Sequence, residues 1–281
     1  MLEIKNLTKT FNKNIAIDNF SFTFNNNVYA LLGPNGAGKT SLLRSIVGLY
    51  PSKENSIIYN DFSSSKSKKT FSKIGYLPQD FALFKELKVK EVMQLLSNLK
   101  GLDRTSSEKE ISNVLELVDM SDRLNSRIRT LSGGMVRRIG IAQALLGNPD
   151  IILFDEPTVG LDPEERLRFK NIISSIKKDK TIIISTHIVD DADSLCENIL
   201  IMDKGKLKKS GTVEEIKSVA REKAFILNES AVDSIRGSYI LQKKFAYDEK
   251  VMMKILSSNS QNLEKASIDL EDGYICVLKN I

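Results

Sequence analysis

A chain of 281 residues has room for one large α/β domain and a small appendage, and 41% hydrophobic with 27% charged residues supplies enough apolar material for a packed core. No apolar run approaches the roughly 18 residues that cross a bilayer, and the opening MLEIKNLTK lacks the apolar core of a signal peptide, so the chain is expected to form no membrane path by itself. The formal charge of +5 invites an anionic partner, yet ten Lys/Arg against eleven Asp/Glu from Val213 onward leave that segment near neutral, and the basic cluster Ser63 to Lys69 has no interleaved aromatics for bases to stack on; no nucleic acid is expected as a partner.

Leu2 and Ile4, then Ile15, Ile17, Phe20, Phe22 and Phe24, alternate with polar residues as strands of a half-buried antiparallel sheet do. Val28 to Leu32 is instead a continuous apolar run, the pattern of a strand buried on both faces. It leads into Gly33-Pro-Asn35-Gly36-Ala37-Gly38-Lys39-Thr40-Ser41, which fits G-x-x-x-x-G-K-[ST] and is followed by helical spacing at Leu42, Leu43, Ile46 and Val47. Glycines let the backbone turn its N–H groups toward a phosphate, Lys39 can reach the β- and γ-phosphates, and the Thr40 hydroxyl is placed to ligate Mg²⁺. The helix start adds its positive end at the same spot. A nucleotide site follows.

Ser56 to Asn60 and Lys73 to Leu77 read as short strands, the second ended by Pro78-Gln79-Asp80. From Lys88 to Met120 the spacing is helical, with one stripe at Val92, Leu95, Leu96 and Leu99, another at Ile111, Val114, Leu115 and Val118, and Ser106 or Ser107 as N-cap. A further helix spans Met135 to Leu146. Ile151 to Phe154 is a second buried strand, followed at once by Asp155 and Glu156, and Pro163 opens the next helix. Thr181 to Ser185 is a strand with Thr186-His187 after it, Asn198 to Met202 and Lys206 to Ser210 form a hairpin, and Thr212-x-x-Glu215 is a capping box. Beyond about Ser218, strands are expected at Ala224 to Leu227, Tyr239 to Phe245 and Tyr274 to Leu278, with a helix at Lys250 to Leu256. Cys196 and Cys276, far apart and without metal spacing, read as free thiols of a reducing cytoplasm.

A second glycine loop before a helix, Leu131-Ser132-Gly133-Gly134-Met135, offers a second phosphate clamp. It resembles the signature loop of ATP-binding-cassette (ABC) ATPases, where LSGGQ is the commoner form. The resemblance covers residues 1 to about 215. It implies a P-loop NTPase of the ABC type: an α/β mixed sheet core with an antiparallel β subdomain and a helical insert at about 80–147, then a small C-terminal α/β accessory domain over 216–281. It implies ATP and Mg²⁺ as ligands, with Phe11 stacking on adenine, Gln79 touching Mg²⁺, Asp155 holding the metal with Thr40, and Glu156 orienting or deprotonating the attacking water. Asp162, in Val159-Gly-Leu-Asp162, matches the residue coupling the two sites, and His187 matches the switch histidine at the γ-phosphate. Val159 stands where the family often has Ser.

The same resemblance implies two cassettes, identical or homologous, paired head to tail, each ATP lying between one chain's Lys39 loop and the other's Ser132 loop. It further implies a separate polytopic membrane permease as partner and a cytoplasmic place on the inner face of the cell membrane. Met135-Val-Arg-Arg138 and the tail Leu270-Glu-Asp272-Gly-Tyr274 are similar to the drug- and peptide-exporter branch. The alternative is a soluble member of the family such as an iron–sulfur assembly ATPase.

Overall fold

A computed structural model describes residues 1–59, 73–235, 237–248, 250–259 and 262–281. The basic stretch Ser63 to Lys69 and the strand end expected at Asn60 lie outside the described residues. The central strand, β3 (Val28–Leu32), is buried at all five positions. It runs parallel to β7 (Thr181–Thr186) on one side and β8 (Asn198–Asp203) on the other, in a six-stranded sheet of order β5-β6-β7-β3-β8-β9. In that sheet β5 is Ile74–Leu77, β6 Ile151–Asp155 and β9 Lys206–Thr212, the last antiparallel to β8.

Because successive side chains of a strand point to opposite faces, the apolar runs feed two cores. Val28, Ala30 and Leu32 join Ile152, Phe154, Ile182, Ile184, Ile199 and Ile201 on one face, against the helices. Tyr29 and Leu31 join Ile151, Leu153, Ile183, Leu200 and Met202 on the other. That second face packs on α1 (Lys39–Ile46) and on a three-stranded antiparallel sheet of β2 (Asn14–Phe24), β1 (Leu2–Phe11) and β4 (Ile57–Tyr59). The mixed core, the antiparallel sheet and the helical insert take the expected form.

The helical insert consists of α2 (Val89–Leu99), α3 (Arg104–Leu117) and α4 (Gly133–Leu145). The α3 cap is Asp103, accepting from Ser106 N at 3.0 Å, and neither Ser106 nor Ser107 takes that place. Ser107 is buried inside the insert, within 2.7 Å of Ser97 Oγ, so the helix starts one turn earlier than the serines suggest. Helix α5 (Pro163–Ile176) follows β6, and α6 (Val189–Leu195) follows β7.

After α7 (Val213–Lys217) the chain builds a separate four-stranded antiparallel sheet, in order β11 (Ile240–Tyr247), β12 (Lys250–Leu256), β10 (Ala224–Asn228) and β13 (Glu264–Lys265). Two expectations are overturned here. Lys250 to Leu256 is a strand, because it is an inner one, paired to β10 and β11 on either side; that pairing outweighs the helix propensity of its Met, Lys and Leu residues. Tyr274 to Leu278 is part of a helix, α8 (Leu270–Lys279), opened by a reciprocal cap in which Asp269 accepts from Asp272 N and Asp272 accepts from Asp269 N, each at 2.9 Å. Leu270 is buried in the same cluster as Ile216 and the sheet, and a Cβ on Gly273 would overlap the carbonyl oxygen of Ile216. The last helix thus returns onto the six-stranded core.

The return is secured by Lys254 of β12, buried, whose Nζ donates to Asp272 Oδ2 at 2.5 Å and to Asp269 Oδ2 at 3.2 Å. Burial holds the Asp272 carboxyl above the usual carboxylate range even though Lys254 opposes the shift. Removing one partner of such a pair strands a buried charge, so Lys254→Met is expected to cost about 3–5 kcal/mol at neutral pH. An acid whose folded pKa is raised takes up its proton in the folded state as pH falls, which relieves the stranded carboxylate. Thermal melts should therefore show a smaller deficit for Lys254→Met at pH 5 than at pH 7; an equal deficit would mean that Asp272 does not change protonation between the two.

Candidate functional site

The site lies at the C-terminal ends of β3, β6 and β7, where parallel sheets place their chemistry. The glycine loop from Gly33 to Gly38 is held by packing as well as by backbone freedom. A Cβ at Gly33 would overlap Met202 O, and one at Gly38, whose φ is +101°, would overlap Ala16 O. Asn35 and Gly36 are exposed at the tip, with Gly36 at φ +80° and open space around it. Ala37 is buried and anchors the loop by accepting from Gly205 N at 3.0 Å. Ser41 is half-buried in the first turn of α1, where its carbonyl accepts from Ser45 Oγ at 2.8 Å.

Lys39 is buried; its Nζ donates to Gly33 O at 2.7 Å and Pro34 O at 3.2 Å and stands 3.4 Å from Glu156 Oε1. Burial lowers its pKa, and the neighbouring Glu156 carboxylate opposes that shift. Asp155, 0% exposed, gathers three hydroxyls: Ser185 Oγ at 2.6 Å, Thr40 Oγ1 at 3.0 Å and Tyr76 OH at 3.4 Å. Burial first, and the Asp155 charge second, push the Tyr76 phenol up to about 12, so it remains a donor.

Glu156 is also buried, and it adopts a left-handed backbone, φ +51°, which is uncommon for a residue with its side chain. The turn is fixed from β7: Glu156 N donates to Ser185 Oγ at 3.0 Å and meets Ser185 O at 3.1 Å. It sends one carboxylate oxygen to Lys39 and the other to His187 Nδ1 at 2.6 Å. His187 is 39% exposed. Sequence reading missed Ser185 and Tyr76. The parallel register that sets Asp155 opposite Ser185 is the signal for the first, a polar residue ending a run of isoleucines.

The structure joins Lys39, Thr40, Asp155, Glu156 and His187 by direct contact, with Gly33 held to Lys39 through its carbonyl, and leaves Phe11, Gln79, Asp162 and the Leu131–Gly134 loop apart from them. Gln79 is exposed on the loop after β5. Phe11, 38% exposed at the end of β1, has its ring edge-on to Tyr50 with centroids 4.8 Å apart. Leu131 precedes α4, and exposed Ser132 caps that helix by accepting from Met135 N at 3.2 Å, with exposed Gly133 and half-buried Gly134 in its first turn. Asp162 caps α5 by accepting from Glu165 N at 2.8 Å.

The residues suit a magnesium–nucleotide ligand. Asp155 and Thr40 present two oxygen ligands to one point, and among the described residues no cluster of three or more His, Cys, Asp or Glu could hold a metal alone. Mg²⁺ is typically held in this shared way, by one or two protein oxygens plus substrate phosphates. Two buried carboxylates against one buried lysine leave a negative balance that a divalent cation offsets.

The family model for ABC transporters matches residues 17–159, and the chain belongs to that family. An uncharacterized ABC transporter ATP-binding protein of Methanocaldococcus jannaschii is 31% identical over 98% of both chains. The Nod factor export ATP-binding protein I of Cupriavidus metallidurans is 31% identical over 77% of this chain and 72% of its own. The solved dimer of the cassette MJ0796 superposes with a TM-score of 0.67 at 26% identity, covering 75% of this chain and 98% of that one, and another structure of MJ0796 is a post-hydrolysis state with ADP and Pi. The chain is an ABC transporter ATP-binding subunit that hydrolyses ATP.

Ser185→Ala would remove one donor from Asp155 and one acceptor from Glu156 N in a dry site. A buried group left short of its partner costs about 1–3 kcal/mol. The urea midpoint should fall accordingly with the slope unchanged.

Proposed function

We propose that this chain powers export through a separate membrane permease, and that its own residues divide the hydrolysis of ATP as follows. Phe11 stacks on the adenine, and the loop from Gly33 to Gly38 surrounds the phosphates with backbone N–H groups. Lys39 neutralises the β- and γ-phosphates; Thr40, Asp155 and Gln79 hold Mg²⁺, which when bound offsets charge on the transferring phosphoryl group. Glu156 orients or deprotonates the attacking water, and His187 contacts the γ-phosphate. The observation that carries this reading is the placement of the Glu156 carboxylate between Lys39 at 3.4 Å and His187 at 2.6 Å, beside the Asp155–Thr40 pair.

The Ser132 loop belongs to a different nucleotide. Ser132 and Gly133 are exposed, and among the described residues no hydrogen bond or ion pair joins them to the Lys39 loop. Two chains arranged head to tail bring Ser132 of one onto the γ-phosphate held by Lys39 of the other, with Asp162 at the seam, a self-complementary two-fold interface. The exporter reading draws on the Nod factor export relative and on Met135-Val-Arg-Arg138; neither points to iron–sulfur assembly.

In this reading the permease is a separate chain, held from the cytoplasmic face through the segment from Gln79 to Val92; no described helix is long and apolar enough to cross a membrane. Phe84 there is 66% exposed. A polytopic membrane protein is expected to co-purify from detergent extracts, and Phe84→Glu to reduce its recovery; recovery with an iron–sulfur scaffold from the soluble fraction would favour the alternative.

Glu156→Gln keeps the shape of the side chain and removes its basicity. Losing a general base typically lowers turnover by about 10²- to 10⁴-fold, while Lys39, Thr40 and Asp155 still hold the nucleotide. The variant should bind ATP, hydrolyse little and elute as an ATP-dependent dimer. Adding Ser132→Arg should abolish the dimer but leave binding to the single chain. Turnover at the wild-type rate in Glu156→Gln would overturn the assignment.

A further inference from the structure

Arg137, in the second turn of α4, is half-buried and donates to four backbone carbonyls. Nη1 reaches Gln79 O at 2.9 Å; Nη2 reaches Glu156 O at 2.6 Å and Asp155 O at 3.4 Å; Nε reaches Pro157 O at 3.2 Å. A guanidinium is the one side chain whose fixed fork of donors can serve two separate loops at once. The two loops here are those carrying Gln79 and Glu156, and the helix that brings the fork begins at Ser132.

We infer that Arg137 is a positioning residue for hydrolysis: it clamps the backbone of Glu156 and of Gln79 to the helix that starts at the signature loop. The inference rests on the reading of Glu156 as the water-activating group. A left-handed glutamate persists only where its surroundings hold it. On the N–H side Ser185 does so; on the carbonyl side the short contact is Arg137 Nη2 at 2.6 Å, with Val159 N at a long 3.5 Å. Without the guanidinium Glu156 O keeps only that long bond, and the carboxylate is held less firmly in its place between Lys39 and His187. Since Ser132 faces the partner's nucleotide in the head-to-tail dimer, the same guanidinium connects engagement of one ATP to the geometry at the other.

The test compares the full-length chain with Arg137→Ala and Arg137→Lys in steady-state ATPase assays, nucleotide binding and thermal melts. Small displacements of reacting groups can lower turnover by about 100-fold. Both variants should lose kcat by about 10- to 100-fold with KM and ATP affinity nearly unchanged, the Lys variant because a single ammonium cannot serve both loops. Methylguanidine added to Arg137→Ala should restore part of the lost kcat, which a general loss of folding would not allow. Wild-type kcat in either folded variant would overturn the inference, as would a loss confined to KM or an absence of rescue in a folded Arg137→Ala. Should Arg137→Ala fail to fold, the kcat of Arg137→Lys decides. Glu156→Gln run alongside separates the failures: if it hydrolyses ATP normally the underlying reading is wrong, and if it is inactive while the Arg137 variants are normal only the clamp is wrong.

Discussion

The buried cluster of Lys39, Asp155 and Glu156 is the constraint around which the fold is arranged. Charges of this kind are tolerated away from water only when paired and hydrogen-bonded. The pairing needs groups from three strand ends brought to one level, with Lys39 after β3, Asp155 ending β6 with Glu156 after it, and Ser185 near the end of β7. Parallel neighbours achieve this because their C-terminal ends lie on the same side. The near-continuous isoleucine and leucine runs exist to bury both faces of those strands, so the apolar core and the charged site are one design.

Much of this was legible because it depends on local chemistry. A fully buried strand leaves an unbroken apolar run, and a phosphate loop needs its glycines. A carboxylate pair directly after the buried Phe154 is costly to keep out of water unless it carries chemistry. What escaped notice depends on contacts between distant segments. Ser185 and Tyr76 sit inside strands and acquire meaning only from the register that faces them toward Asp155. The terminal region departs from its local pattern for the same reason: Lys250 to Leu256 is a strand by virtue of its two partners, and the cap of α8 is an Asp269–Asp272 pair in place of the commoner Ser or Thr with Glu.

The C-terminal sheet is tied to the ATPase body by α8. Leu270 shares the large core with Ile216, and Tyr274 packs on its margin, its phenol pushed up to about 12 by burial. Lys217 of α7 reaches Asp193 of α6 at 3.1 Å, and α6 is the helix that follows His187. The C-terminal segment is thus packed on the core through α8 and joined to α6 by an ion pair at the surface.

Helix α4 has the complementary position on the other side. Its start is exposed at Ser132 and Gly133 and its cap uses the Ser132 hydroxyl, while its second turn carries Arg137 against the backbone carbonyls of Asp155 and Glu156. A rigid helix cannot move at one end alone: a shift at the signature loop is felt one turn further on, and the fork that meets Gln79 and Glu156 together cannot follow one loop without pulling the other. The left-handed backbone at Glu156 is thus held both from β7, through Ser185, and from the insert, through Arg137, so in the proposed head-to-tail dimer the geometry proposed for hydrolysis would depend on what the start of α4 is holding.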